Sequence, residues 1–192
     1  MPPKAKFKKE EIVSAALEIV RENGPEALTA RSLGDKLGSS ARPIFTVFES
    51  MKELQNSVIA AVNELYNSFV DEGMKEDIPF KGVGKAYIRF AAEYPKFFQL
   101  LFMGEQESVP DINNILGLID KNSEKILSSI SGTYGLDDNQ SRELYAHMWI
   151  YSHGIAVLIA TKVCAFTADE VSRMLTAVCG NLIEKIKREG HL

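Results

Sequence analysis

Apolar residues recur three and four positions apart along almost the whole chain, and no run of alternating apolar and polar positions between hairpin turns interrupts them. The pattern predicts an all-α protein. A first helix over residues 9–23 carries Ile12, Ala16, Ile19 and Val20 on one stripe and lacks a good side-chain cap at its start. Gly24-Pro25 stops it, as a C′ glycine followed by a residue that cannot extend the ladder. Thr29 has the chemistry of an N-cap, Leu28 and Leu33 are spaced as a hydrophobic staple, and a helix of barely two turns closes at Leu37-Gly38. Ser40 is placed to cap a third short helix over 41–48, with Pro43 in the first turn, where its missing N–H costs little, and Ile44 and Phe48 on the buried face. A fourth helix over 51–72 repeats Leu54, Val58, Ala61, Leu65 and Phe69 until the polar stretch from Gly73 to Asp77 and Pro79 ends it.

The pattern resumes at Lys81 with Val83, Ala86, Tyr87, Phe90 and Ala91, and Pro95 opens a short helix bearing Phe97, Phe98, Leu101 and Phe102. Ile112, Ile115, Ile119, Ile126 and Ile130 mark a further helix ended by Gly132 and Gly135, and a long one runs from Asp138 to Val163. The last helix has the best start signal in the chain: Thr167 and Glu170 form a capping box, Phe166 and Val171 a staple, and Val171, Leu175, Val178, Leu182 and Ile186 the apolar stripe. The domain seam is expected inside the fourth helix, dividing residues 1–55 from residues 56–192.

An apolar fraction of 45% over 192 residues is enough for a real core. Cys164 and Cys179 are too few and too far apart for a disulfide framework or a CxxC site, which points to reduced thiols and a cytoplasmic location. The lysines near the N-terminus have no apolar stretch behind them, and the longest apolar run, Ile155 to Ala160, is far too short to span a membrane. A net charge of -4 argues weakly against nucleic acid, but the first 55 residues hold nine Lys/Arg against eight Asp/Glu and the remainder 13 against 18. Lys4, Lys6, Lys8 and Lys9 also form a basic arm ahead of the first helix. No glycine-rich phosphate loop, no nucleophile with a base at motif spacing and no paired carboxylates on a shared apolar face occur, so neither an enzyme nor a cofactor is expected.

Three helices within the first fifty residues, the second and third joined by a tight glycine-containing turn, have the layout of a helix-turn-helix. In that layout the second helix crosses the phosphate backbone, while the third, held by Leu33, Leu37, Ile44 and Phe48, turns its outer face to base edges. Gly24, Ala27-Leu28-Thr29, Arg31, Leu33, Gly38, Ser40, Ile44-Phe45, Phe48 and Glu53-Leu54 follow one another in an order and spacing that resembles the DNA-binding domain of the TetR family, over residues 8–55. The resemblance implies that Thr29 and Arg31 contact phosphates, that Ala41, Arg42, Pro43 and Phe45 face the groove, and that Ser40, Thr46 and Lys52 add further DNA contacts. Phe45, Val47 and Met51 depart from it, standing where the family usually has tyrosine, histidine and lysine. One hydroxyl and two cationic or polar phosphate partners are thereby lost, for Thr46, Ser50, Lys52 or the basic arm to replace. Arg42 is open to three roles: a bidentate pair with guanine worth about 1–3 kcal/mol, a phosphate contact, or a surface charge. Phe45 is open to packing and to base contact.

A single such module binds too weakly to act alone, so a homodimer is expected, through an antiparallel pairing of the last two helices of each subunit. In the penultimate helix, Trp149 and His153 share a face beside Gly154. An interior glycine costs about 1 kcal/mol relative to alanine, which suggests that another backbone approaches there. The Trp149-x-x-x-His153-Gly154 string resembles the C-terminal domain of the WHG subgroup of the same family. His153 reads as a packed core histidine or as a polar contact to a ligand; no second ligand at metal spacing accompanies it, and His147 lies six residues away. The resemblance further implies repression of a palindromic operator in double-stranded DNA, and release when a small molecule enters the C-terminal domain. Phe90, Tyr94, Phe97, Phe98 and Phe102, set against Tyr145, Met148, Trp149 and His153, would line such a cavity or form an ordinary aromatic core. The competing reading is a helical ligand-binding or interaction protein with a weakened DNA-binding head.

Overall fold

A computed structural model describes residues 6–104 and 122–189, and all regular structure among them is helical. In chain order the helices are α1 (Lys9–Asn23), α2 (Ala30–Lys36), α3 (Met51–Gly73), α4 (Pro79–Glu93), α5 (Pro95–Phe102), α6 (Ser123–Tyr134), α7 (Asp138–Ala160) and α8 (Ala168–Glu189), with 3-10 turns at Pro25–Ala27 and Ile44–Thr46. Lys4 of the basic arm and the expected helical positions Ile112, Ile115 and Ile119 lie outside the described residues. Among the described residues no helix is long and apolar enough to cross a membrane.

The chain forms two compact units, and the first break between them, after Leu65, falls inside α3, the helix expected to hold the seam, ten positions beyond residue 55. The first takes residues up to Leu65 together with Tyr94–Gly104, and the second takes Tyr66–Glu93 and everything after Gly104. Unit 1 closes its core with both of its stretches: Ile12, Ala16 and Val20 of α1, Leu33, Ile44 and Phe48, Leu54, Val58 and Val62 of α3, and Phe97 and Phe98 of α5 are all buried. Gly24 ends α1 at a φ of 91°, and its missing side chain leaves room for the Lys96 stem, whose Cδ lies 3.5 Å from where a Cβ would stand. Tyr94 carries the Arg21 guanidinium 5.6 Å from its ring centroid and stacks on Phe97 at 5.7 Å. α5 is thus tied to α1.

In unit 2, α4 packs chiefly on α7, and Phe90 is fully buried with Tyr66 and Phe69 meeting it edge to face at 5.4 Å each. Gly73 and Gly82 let the end of α3 and the start of α4 touch backbone to backbone; a Cβ on Gly82 would stand 2.1 Å from the Gly73 carbonyl oxygen. Asp137 caps α7 by accepting from the Gln140 N–H at 2.9 Å, and the Gln140 side chain accepts from the Asp137 N–H in return. The expected capping box of α8 is present: Glu170 N–H donates to Thr167 Oγ1 at 3.2 Å, and Thr167 N–H to the Glu170 carboxylate at 2.8 Å.

Two boundaries differ from expectation for identifiable reasons. α7 stops at Ala160 because Lys162 takes a left-handed φ of 59°, closing a Schellman motif in which Val163 N–H reaches the Leu158 carbonyl and Lys162 N–H that of Ile159. With lysine in place of the usual glycine, nothing in the sequence marked that stop. α6 runs through Gly132 to Tyr134 and ends at Gly135, whose φ of 65° is the left-handed cap.

Candidate nucleic-acid interface and ligand cavity

The surface presented by unit 1 is built around α2 and the segment that follows it. Thr29 caps α2, its Oγ1 accepting from the Ser32 N–H at 3.1 Å while Ser32 Oγ accepts from the Thr29 N–H at 3.0 Å. The far end closes as a Schellman motif, with Ser39 N–H on the Gly34 carbonyl, Gly38 N–H on that of Asp35, and Gly38 at a φ of 61°. That turn folds back so closely that a Cβ on Gly34 would lie 3.0 Å from both Ala41 N and Ser39 O.

The element expected as a third helix over 41–48 is shorter and tighter: a 3-10 turn over Ile44–Thr46, entered through Ala41–Pro43 and left through a single α-type bond from Phe48 N–H to the Ile44 carbonyl. Ser40 makes no capping bond, and the Thr46 hydroxyl donates back to the Pro43 carbonyl at 2.7 Å. Ile44 and Phe48 are sunk as pegs into the core, while Arg42, Thr46 and Phe45 are exposed, Phe45 at 45%. An aromatic ring that open is not core packing within this chain.

Charge on this surface divides into paired and unpaired cations. Lys36 is answered by Glu18 at 2.7 Å, a pair that holds the carboxyl below and the ammonium above their ordinary values, and Lys9 lies 3.9 Å from Glu53. Lys6 donates to Ser39 Oγ at 3.0 Å and so lies beside the turn. Arg31, Arg42 and Lys52 are exposed and have no ion-pair partner among the described residues.

Unit 2 contains a cavity of about 230 Å³ walled by α3, α4, α6, α7 and α8. Six of its lining residues are aromatic: Tyr66, Phe80, Tyr87, Tyr134, Tyr145 and Trp149. α8 supplies Leu175, Thr176, Cys179, Gly180 and Ile183. Behind the wall, the Tyr87 hydroxyl and His153 Nδ1 share a hydrogen bond at 2.8 Å, and His153 stacks on Trp149 at 5.1 Å. Burial lowers the His153 pKa, raises the Cys179 thiol and pushes the Tyr134 phenol up to about 12. The imidazole, thiol and phenol are therefore uncharged near neutrality. Among the described residues no group of three or more His, Cys, Asp or Glu is placed to hold a metal ion.

Two solved structures resemble this chain along most of its length. A proposed fatty acid metabolism regulator of Clostridium perfringens is 15% identical with a TM-score of 0.63, over 92% of this chain and 97% of its own. A proposed TetR-family transcriptional regulator of Mesorhizobium loti is 16% identical with a TM-score of 0.52, over 92% and 95%. The chain has a TetR-like fold. No family model and no curated protein matches the sequence, so the likeness resides in the backbone.

Within this TetR-like fold the expected DNA-contacting residues all fall in unit 1. Thr29 and Arg31 open α2, Ser40 to Thr46 form the turn and the 3-10 element, and Lys52 lies in the first turn of α3. The expected ligand set is scattered. Tyr145 and Trp149 line the cavity, His153 stands behind Tyr87, and Phe90 is buried beneath Tyr66. Tyr94, Phe98 and Phe102 belong to unit 1, because Pro95 starts a new helix that runs back to α1. Sequence reasoning missed Tyr66, Phe80, Lys81, Tyr134 and the α8 wall. The i, i+4 continuation of the α8 stripe through Cys179 and Ile183 was the available signal for the last of these.

Proposed function

We propose that this chain is a ligand-responsive transcriptional regulator, a repressor that binds a palindromic operator as a homodimer in the cytoplasm and leaves DNA when a small molecule occupies the cavity of unit 2. The observation that carries the proposal is the α2–turn–3-10 unit. It has Leu33, Ile44 and Phe48 buried, Thr29, Arg31, Arg42, Phe45 and Thr46 exposed, and three cations without partners beside them, in a TetR-like fold. Such a unit fits the major groove, and unpaired cations displace counterions from phosphates. The Trp149, His153 and Gly154 string supports placement in the WHG subgroup. Tyr66 of the cavity wall lies on α3, the same helix whose first residues belong to unit 1, which gives a ligand a route to the reading surface. A ligand moves that equilibrium only if it binds the two states unequally.

Pairing is assigned to α7 and α8. Ile150, Gly154 and Leu158 recur at i, i+4 and i+8 on one exposed face, at 50% and 37% exposure for the two apolar side chains, and none of the described residues outside the helix's own backbone comes within 4 Å of a Cβ placed on Gly154. The backbone expected to approach that glycine is then a partner's.

A mobility-shift titration with the DNA upstream of the chain's own reading frame tests the proposal. A saturable complex is expected, with a log–log salt slope of about −5 if six phosphates are neutralised. Arg42→Ala should lose roughly tenfold or more on the specific duplex and less on random DNA. Weak, sequence-blind binding would favour a helical ligand-binding or interaction protein instead, a reading to which the exposed Phe45 ring and the apolar Val47 and Met51 lend support.

A further inference from the structure

Phe45 carries the one exposed aromatic ring among the described residues, every other being buried or half-buried, and it stands in the segment proposed to meet DNA. The backbone sets its neighbours. Bonds from Ile44 N–H to the Ala41 carbonyl, Thr46 N–H to that of Pro43 and Val47 N–H to that of Ile44, at 3.1, 3.2 and 3.1 Å, each span three positions. The segment therefore winds at about three residues per turn, which brings Arg42 and Phe45 onto one edge. Both are exposed. The bond from Phe48 N–H back to the Ile44 carbonyl, one residue longer, ends that register, and Phe48 is buried. Arg42 has no ion-pair partner among the described residues, and the Thr46 hydroxyl donates its proton to the Pro43 carbonyl at 2.7 Å. The outward edge offers one cation and, beside it, one apolar ring.

A phenyl ring cannot donate to a phosphate, and seating it on the DNA backbone would strip water from charged oxygens with nothing in return. The floor of the major groove has a single apolar substituent, the 5-methyl group of thymine. An exposed ring next to an unpaired guanidinium suits that group, since the cation holds the edge against a polyanion while the ring covers the methyl. We infer that Phe45 is a specificity-determining residue that covers the 5-methyl group of one thymine in each half-site. The inference rests on the reading of unit 1 as a DNA-binding surface, and adds the base that is selected and the side chain that selects it.

Replacing thymine by deoxyuridine removes that methyl group and leaves every hydrogen-bonding group of the base pair in place. Duplexes selected from a random pool by the full chain should be remade with one thymine at a time replaced. They should then be titrated against the native chain, Phe45→Ala and Arg42→Ala, each variant first checked by thermal melting, at low salt, where phosphate contacts keep weakened complexes measurable. At one thymine position per half-site, uracil should weaken native binding about fourfold, and about fifteenfold when both half-sites are substituted, as one buried methyl group per half-site predicts. The penalty should vanish in Phe45→Ala and persist in Arg42→Ala. Selected half-sites that share no thymine, a specific complex indifferent to uracil at every position, or a penalty that survives in Phe45→Ala overturns the inference and leaves the DNA-binding reading standing. Absence of a saturable complex with any duplex removes both.

Discussion

Tyr87 and His153 illustrate how far a residue's role depends on neighbours that sequence spacing does not reveal. The i, i+4 relation of Trp149 and His153 was legible, and their stacking follows from it. The hydrogen bond from α7 to Tyr87 on α4 was not, because it spans 66 positions. Its energetic sign can be worked out. Burial holds His153 below its ordinary value of 6.5, so as the pH falls past 6.5 the unfolded chain takes up a proton before the folded one does. The stabilisation is complete above 6.5, is lost on descending from 6.5 to the folded value, and levels off below that. Urea midpoints measured between pH 7.5 and 5 should fall for the native chain and fall less steeply for His153→Gln. Parallel curves would show that the imidazole is not the group being titrated.

At the scale of elements, starts were easier to read than stops. Thr29, Asp137 and Thr167 cap their helices through side-chain oxygens, a chemistry written in the residue itself. The stop of α7 at a left-handed lysine and the shortening of the third element to a 3-10 turn depend on backbone geometry that no residue type announces. Gly34 belongs with these hidden constraints, since it looks like a weak point inside α2 yet is where the following turn closes over the helix. Alanine there would gain about 1 kcal/mol of helix propensity, against a cost of roughly 1–3 kcal/mol for forcing a methyl group into backbone atoms 3.0 Å away. Gly34→Ala should therefore lower the melting temperature by a few degrees and weaken DNA binding together with it. A variant as stable as the native chain would mean that the turn yields without cost.

For the molecule as a whole, the all-helical class was legible from periodicity alone, whereas the return of Tyr94–Gly104 to the first unit was not. The aromatics of residues 90–102 read as one wall because nothing in their composition tells that Phe90 and Phe98 close separate cores. Tyr145 and Trp149 of the expected set line the cavity, and Lys81 was overlooked because a lone lysine in a polar stretch reads as surface. The proposed pairing surface is testable at this scale. Leu158→Glu puts a charge at one end of the exposed α7 stripe; the native protein should sediment as a dimer and this variant as a single chain, with operator affinity reduced at least about a hundredfold through loss of the second half-site. A native protein that sediments as one chain at micromolar concentration would remove the basis for this assignment.

The interleaving of the two units along the chain bears on how such proteins can be recombined. Phe97 and Phe98 complete the core around α1, although twenty-eight positions of the other unit separate them from Leu65. A hybrid that borrows only the first sixty-five positions would inherit an open core, and one that swaps only the remainder would import a foreign plug for it. Any chimaera of unit 1 has to carry Tyr94–Gly104 along as a second graft, and a ribosome has to deliver both stretches before that core can close.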